Sequence, residues 1–228
     1  ASLGFYNVVN LTALRDNHRQ AAMEGHQLCR FATEALSPAL PSGSLDPARA
    51  GRIGHSLGGT TGNVGVVSDP EGWKAALISG GAGVQALSFL ETGLVGSDSP
   101  IIQDLGALFG VTVDEHTQIG ALLATALGIE DPQAQERFDR FHPVIGLFQS
   151  IMDPGDAMSV ARDNTVPVTM LMGVGDLQVP NAGTEAVVQA LPHGTLVRCE
   201  GIEAYDPHTC FYRDPTGWQT LQTWLEAL

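Results

Sequence analysis

The pentapeptide Gly54-His55-Ser56-Leu57-Gly58 constrains this chain more than any other stretch. Its G-x-S-x-G spacing marks a strand that turns so tightly into a helix that the serine is lifted clear of the backbone. Side chains two residues either side of the serine would collide where strand and helix nearly touch, so glycine is expected at both places. With 27 Gly in 228 residues, the pentapeptide alone is a weak signal. Its weight depends on a strand before it, a helix after it, and an acid and a histidine placed correctly downstream.

The flanking patterns supply the first two. Ala48 to Ile53 must be the entering strand, although its alanines and arginines make it a poor one by propensity. Leu57 to Val67 reads as the helix, rich in glycine where it packs close to a sheet. Ala75 to Ser79 is a short buried strand closed by Gly80-Gly81-Ala82-Gly83. Strand, helix, strand in this order implies a βαβ unit in a parallel sheet. Upstream, an apolar opening at Phe5 to Asn10 leads into a long helix. Leu11, Leu14, His18, Ala21, Gly25, Leu28, Ala32 and Leu36 form its stripe, and Pro38 and Pro41 end it.

The sheet resumes at Val166 to Met172, a nearly continuous apolar run of the kind covered on both faces. A helix over Asn181 to Leu191 follows, then a last strand over Thr195 to Cys199. A terminal helix from Pro215 to Leu228 is expected to bury Trp218, Leu221, Trp224 and Leu225. Between the two halves, residues 84–163 show helical patterns at Pro100–Phe109, Thr117–Leu127 and Pro132–Met152 and no convincing strand. This segment reads as a helical cap inserted over the site of a single domain spanning residues 1–228. Most of its apolar residues form the cap's own core. Phe89, Ile101, Phe109 and Phe148 are candidates for a substrate-facing wall.

A serine hydroxyl attacks only when a base takes its proton, and that base needs an acid to hold its tautomer and stabilise its cation. Where this turn occurs in parallel sheets, the three follow in the order serine, acid, histidine, each at the carboxyl end of a strand. Asp176, in Gly173-Val174-Gly175-Asp176-Leu177-Gln178-Val179-Pro180, lies just past the long apolar strand. Asp206 follows the wrong strand and Asp163 precedes its own. Of seven histidines, His18 and His26 lie on the first helix, and His116 and His142 in the cap. His193 is at the wrong end of the last strand, and the pleat is expected to point His55 away from the serine. His208, on a loop beyond the last strand, is the one that meets the demand. The backbone N–H of Leu57 should hold the developing oxyanion. A second donor normally comes from a loop after an early strand, and no such strand and loop is found in this chain.

Other features bound the partners. Eleven basic residues stand against 25 acidic ones, for a net charge of −14, and Lys74 is the only lysine. Such a surface repels nucleic acid and anionic lipid. No apolar run reaches membrane-spanning length, and the opening lacks the basic and long apolar regions of a secretory leader. No zinc-type ligand spacing occurs, and the Gly80–Gly83 run is not a dinucleotide fingerprint, so neither metal nor cofactor is expected. The three cysteines are either reduced thiols or include a Cys199–Cys210 disulfide of a secreted protein. In the second case Cys29 is free or bound to something outside the chain.

With these residues in view the chain resembles the α/β-hydrolase superfamily, most closely the catalytic part of large bacterial extracellular lipases of the virulence-factor group. The matching stretches are Asn10 to Gln20, Gly54 to Gly59, Gly175 to Asn181, and the His208 loop with Asp214-Pro215 behind it. The resemblance implies a mainly parallel sheet with helices on both faces, carboxylic ester hydrolysis without a metal, and export from the cell. In that family the serine motif lies much further from the N-terminus. The early strands are therefore expected to be missing here, and a companion N-terminal segment would complete the sheet and the oxyanion hole, with Cys29 a possible link to it.

The leading expectation is a serine esterase or lipase working through Ser56, His208 and Asp176 on a small ester or a lipid. Two alternatives stand beside it. An acyltransferase, or a hydrolase of polyesters or amides, would keep the triad and change the acceptor; a panel of acyl esters separates these. A non-catalytic binding module of the same fold would fail to react with a fluorophosphonate probe.

Overall fold

The computed structural model describes residues 10–42, 44–81, 83–92, 100–135, 138–139, 141–200 and 206–228. The apolar opening at Phe5 lies outside the described residues. Helix α1 (Leu11–Arg30) starts at Asn10, whose side chain accepts from the Ala13 amide. A π-helical stretch over Phe31–Leu36 and a 3-10 turn over Ser37–Ala39 carry it to its end. There follow β1 (Gly51–His55), α2 (Leu57–Ser68) and β2 (Ala75–Ser79).

Residues between β2 and the next strand form α3 (Gln85–Leu90), α4 (Pro100–Phe109), α5 (Ile119–Ala126), α6 (Pro132–Gln135), α7 (Pro143–Met152) and α8 (Ala157–Val160). The helical pattern expected over Pro132–Met152 is broken. His142 caps a new helix there, with Pro143 in its first turn. The chain then returns to the sheet through β3 (Val168–Gly173), α9 (Asn181–Ala190), β4 (Gly194–Cys199), the short α10 (Cys210–Arg213) and α11 (Pro215–Ala227).

Among the described residues four strands form one parallel sheet in the order β1-β2-β3-β4. Alternate residues face opposite sides. Val66, Ala76, Ile78, Val168, Met170 and Val187 pack on one face with the residues around α8. Leu171, Cys199 and Cys210 pack on the other, with Val197 and Phe211 against them. A separate core joins α1 to the inserted helices: Leu14 packs with Ala86, Ala124, Phe138, Ile145, Phe148 and Met152.

The ends of the inserted segment are pinned by one buried carboxylate. Asp156 Oδ1 accepts from the amides of Val84 (3.0 Å) and Met158 (2.7 Å), and Oδ2 from the Gln85 amide (2.6 Å) and Gln149 Nε2 (3.1 Å). A carboxylate with no solvent exposure is tolerable because its lone pairs are this fully used.

Three further sequence expectations need correction. The entering strand is shifted toward the serine, because Pro47–Arg49 forms a 3-10 turn capped by Asp46. It holds despite weak propensity because Arg52 lays its guanidinium 5.5 Å over the Trp73 ring and fills space that Gly25 of α1 and Gly65 of α2 leave open. Trp218 and Leu225 of α11 are exposed at 57% and 47%, while Trp224 carries the burial. Along α1 the buried stripe is Leu14, His18 and Ala22, and Leu28 is exposed. In both helices the apolar periodicity runs on past the surface that covers it.

Candidate active site

The turn from β1 into α2 places Ser56 at φ 55°, ψ −122°, a left-handed conformation that side chains rarely adopt. Such strain costs of order 1–3 kcal/mol and persists where the surroundings over-determine it. Here they do. The Ser56 amide donates to Ser79 O (2.8 Å), continuing the β1–β2 ladder, and its carbonyl accepts from Gly59 and Thr60 (2.8 and 3.0 Å). A Cβ at Gly54 would run into the carbonyl of Gly58. The partner expectation fails: a Cβ at Gly58 would meet nothing within 4 Å, while one at Gly59 would sit 3.0 Å from Ser79 O and Gly81 Cα. The crowded glycine after the serine is therefore the third, because Gly58 lends its backbone to the contact and turns its own Cα outward.

Asp176 stands in the turn beyond β3. Its amide donates to Gly173 O (3.2 Å), and Gly175 at φ 82° lets the chain reverse. Asn181 braces the turn by accepting from the Gly175 amide and donating to Gly173 O, both at 2.9 Å. Asp176 Oδ1 accepts from the amides of Gln178 (2.8 Å) and Val179 (3.0 Å), which leaves Oδ2 to face the histidine.

His208 occupies a 3-10 turn, Pro207–Thr209, whose first free amide, that of His208 itself, is capped by the Asp206 side chain. The same Asp206 accepts from Gln178 Nε2 at 2.6 Å, tying the histidine turn to the acid turn. His208 Nδ1 lies 2.8 Å from Asp176 Oδ2, and Nε2 lies 2.8 Å from Ser56 Oγ. An ionised carboxylate can only accept, so Nδ1 carries the proton and Nε2 is left to accept from the serine hydroxyl. Asp176 and His208 are 7% and 5% exposed, so this chain of hydrogen bonds is shielded from water, which strengthens it. The structure thus brings Ser56, Asp176 and His208 together from positions up to 152 residues apart.

The amides of Leu57 and Gly58, at the start of α2, have no acceptor among the described residues. Of the substrate-wall candidates, Phe89 and Phe148 pack on each other, rings 6.2 Å apart, in the core shared with α1. Phe109 is half-buried on α4, and the side chain of Ile101 lies outside the described residues. Cys199 and Cys210 are buried as thiols with their sulfurs 2.6 Å apart. The contact with Cys199, then burial, pushes the Cys210 thiol far above its usual range. Cys29 is apart from them, half-buried and near Gly72 O.

One neighbour escaped sequence reasoning. His55 does not point away: its ring centroid lies 4.9 Å from that of His208. Strand alternation misleads there because His55 is the last residue of β1, where the His208 turn folds back over the strand ends.

Among the described residues no group of side chains could hold a metal ion, and no helix is long and apolar enough to cross a membrane. No protein-family model matches the sequence, and no curated protein sequence matches it. Solved structures do. The monoacylglycerol lipase of Paleococcus ferrophilus is 18% identical over 92% of this chain and 74% of its own, with a TM-score of 0.51. A membrane phospholipase A described as a bacterial virulence factor is 14% identical over 91% of this chain, with a TM-score of 0.50. This chain spans 63% of that second protein. At these identities the likeness is one of fold, and with the parallel sheet it gives the chain the α/β-hydrolase fold.

Proposed function

We propose that the protein is a serine hydrolase of carboxylic esters, with Ser56 as nucleophile, His208 as base and Asp176 as its orienting acid. The observation that carries this reading is the continuous relay Ser56 Oγ–His208 Nε2 and His208 Nδ1–Asp176 Oδ2, each link 2.8 Å. Ser56 Oγ attacks the ester carbonyl while Nε2 takes its proton. The alcohol then leaves with that proton, and water activated by the same nitrogen releases the acid from the acyl-enzyme. Asp176, accepting from two backbone amides as well as from His208, stabilises the imidazolium without itself being protonated. The Leu57 N–H, without an acceptor among the described residues, is the first oxyanion donor.

Four further assignments belong to this reading. Helices α3 to α8, closed at their base by Asp156, act as the cap over the serine, with Phe109 and Ile101 the candidates left for its acyl wall. Cys199 and Cys210 form a disulfide, in keeping with an exported protein. A lipid or small-molecule ester is the substrate, in line with a fold shared with a monoacylglycerol lipase. A companion segment pairs with β1. The bonds from Lys74 N to Ala50 O and from Ser56 N to Ser79 O turn Gly51, Ile53 and His55 backbone groups away from β2, and Ile53 is 46% exposed.

The test of the catalytic reading is Ser56→Ala. Turnover of p-nitrophenyl esters and covalent labelling by a fluorophosphonate should both disappear. Activity within tenfold of the unaltered protein would overturn it.

A further inference from the structure

The ring of His208 is enclosed on more sides than the relay requires. A Cβ at Gly80, just past β2, would sit 2.9 Å from His208 Cε1, so backbone closes one side. His55 closes another, its ring tilted 42° to that of His208 at 4.9 Å. His55 is in turn held by α10, the short helix that continues the His208 turn. Phe211 stacks on it at 6.2 Å and 18°, and Tyr212 meets it edge-on at 5.5 Å. Its Nδ1 lies 3.4 Å from Ser79 Oγ, which anchors the ring to β2. One imidazole thus joins the strand that leads into Ser56, the neighbouring strand, and three side chains of the histidine-bearing segment.

From this arrangement we propose that His55 is a positioning residue: its ring is the surface on which the His208 turn docks, and it sets the distance from His208 Nε2 to Ser56 Oγ. The inference rests on the reading of Ser56 and His208 as nucleophile and base. The need for such a support follows from the sequence of the turn. The turn follows β4, and β2 and β3 lie between β4 and β1 in the sheet, so strand pairing does not by itself link the His208 turn to the end of β1. An aromatic ring adjacent to the nucleophile supplies that alignment, because ring packing constrains both distance and tilt. Burial, and then the nearness of His208, holds the His55 imidazole below its ordinary pKa, so the ring rests neutral beside the base.

The experiment compares His55→Ala and His55→Phe with the unaltered protein, kcat being expressed per serine titrated with a fluorophosphonate. Misplacing a base by about 1 Å can cost ~10²-fold, so His55→Ala should lose at least about tenfold in kcat with KM within about threefold. His55→Phe, which keeps the ring, should recover most of that loss. Should the alanine variant not fold, His55→Leu replaces it with the same expectation, since leucine fills volume but has no plane to dock against. A purely structural role would lower the folded fraction and leave kcat per titrated serine unchanged, and that result overturns the proposal. Equal losses in the Phe and Ala variants overturn it as well. If the unaltered protein does not react with the probe at Ser56, the site reading fails and this inference falls with it. Reaction of Ser56 together with an unchanged His55→Ala kcat defeats the His55 assignment alone.

Discussion

The carbonyl of Pro207 occupies the place where any side chain at Gly173 would stand. The last residue of β3 therefore touches the residue before the histidine, and the acid turn and histidine turn are packed backbone to backbone. Gly173→Ala should push the Pro207–Thr209 turn outward and lengthen the path from His208 to Ser56. We expect kcat for ester hydrolysis to fall by about 10–100-fold. The fold should survive, as circular dichroism would verify, and an unchanged kcat would show that the turn moves without carrying His208.

Asp176→Asn keeps the size of the side chain and removes its charge. The amide can present its NH2 to His208 and favour the wrong tautomer, and it leaves the imidazolium without a counter-charge. A loss of about 10³–10⁴-fold in kcat is expected, read by steady-state kinetics on a short-chain ester.

Acid sensitivity should have a source outside the site. Burial pushes the pKa of His18 down to about 4, against a smaller opposing pull from Asp156. The same ring in the unfolded chain titrates near its ordinary value of about 6.5. Between these values the unfolded chain binds a proton that the folded chain refuses, so stability is present in full above pH ~6.5 and is lost as pH falls toward ~4. The loss is of order 3 kcal/mol. Urea unfolding at pH 7 and pH 5 should show a smaller drop for His18→Leu than for the unaltered protein. Equal drops would assign the sensitivity elsewhere.

Removing the Asp156 carboxylate takes the side-chain acceptor from three buried or half-buried amides at once, those of Val84, Gln85 and Met158, and leaves Gln149 to Asp153 alone. Asp156→Ala should cost about 3–5 kcal/mol, since stranded buried groups carry desolvation penalties of about 1–3 kcal/mol each and some find water. Because those donors close the base of the inserted helices, limited proteolysis should cut within residues 84–163 first.

The Cys199–Cys210 assignment predicts an intact mass, measured without reductant, two hydrogens below the reduced mass. Reduction should then lower stability by roughly 2–3 kcal/mol, and Cys210→Ser should do the same. A mass unaffected by reductant would leave the pair as the buried thiols of the structure.

The amino-acid sequence by itself determined which residues could serve at the ends of strands. Asp176 follows a long apolar run readable locally, Ser56 is marked by its glycine spacing and His208 by its place beyond the last strand, and β2 begins and ends where its apolar run does. The tertiary structure decided what the local pattern could not reach. β1 forms across a poor sequence because Arg52 finds Trp73 and two glycines far from it in the chain. Trp218 and Leu225 are left exposed because no described element covers that side of α11. His55 lies against His208, and Asp156 gathers donors from 71 and 72 residues away. Periodicity reports which way a side chain leaves its own helix or strand; what it meets there depends on segments brought close only by folding.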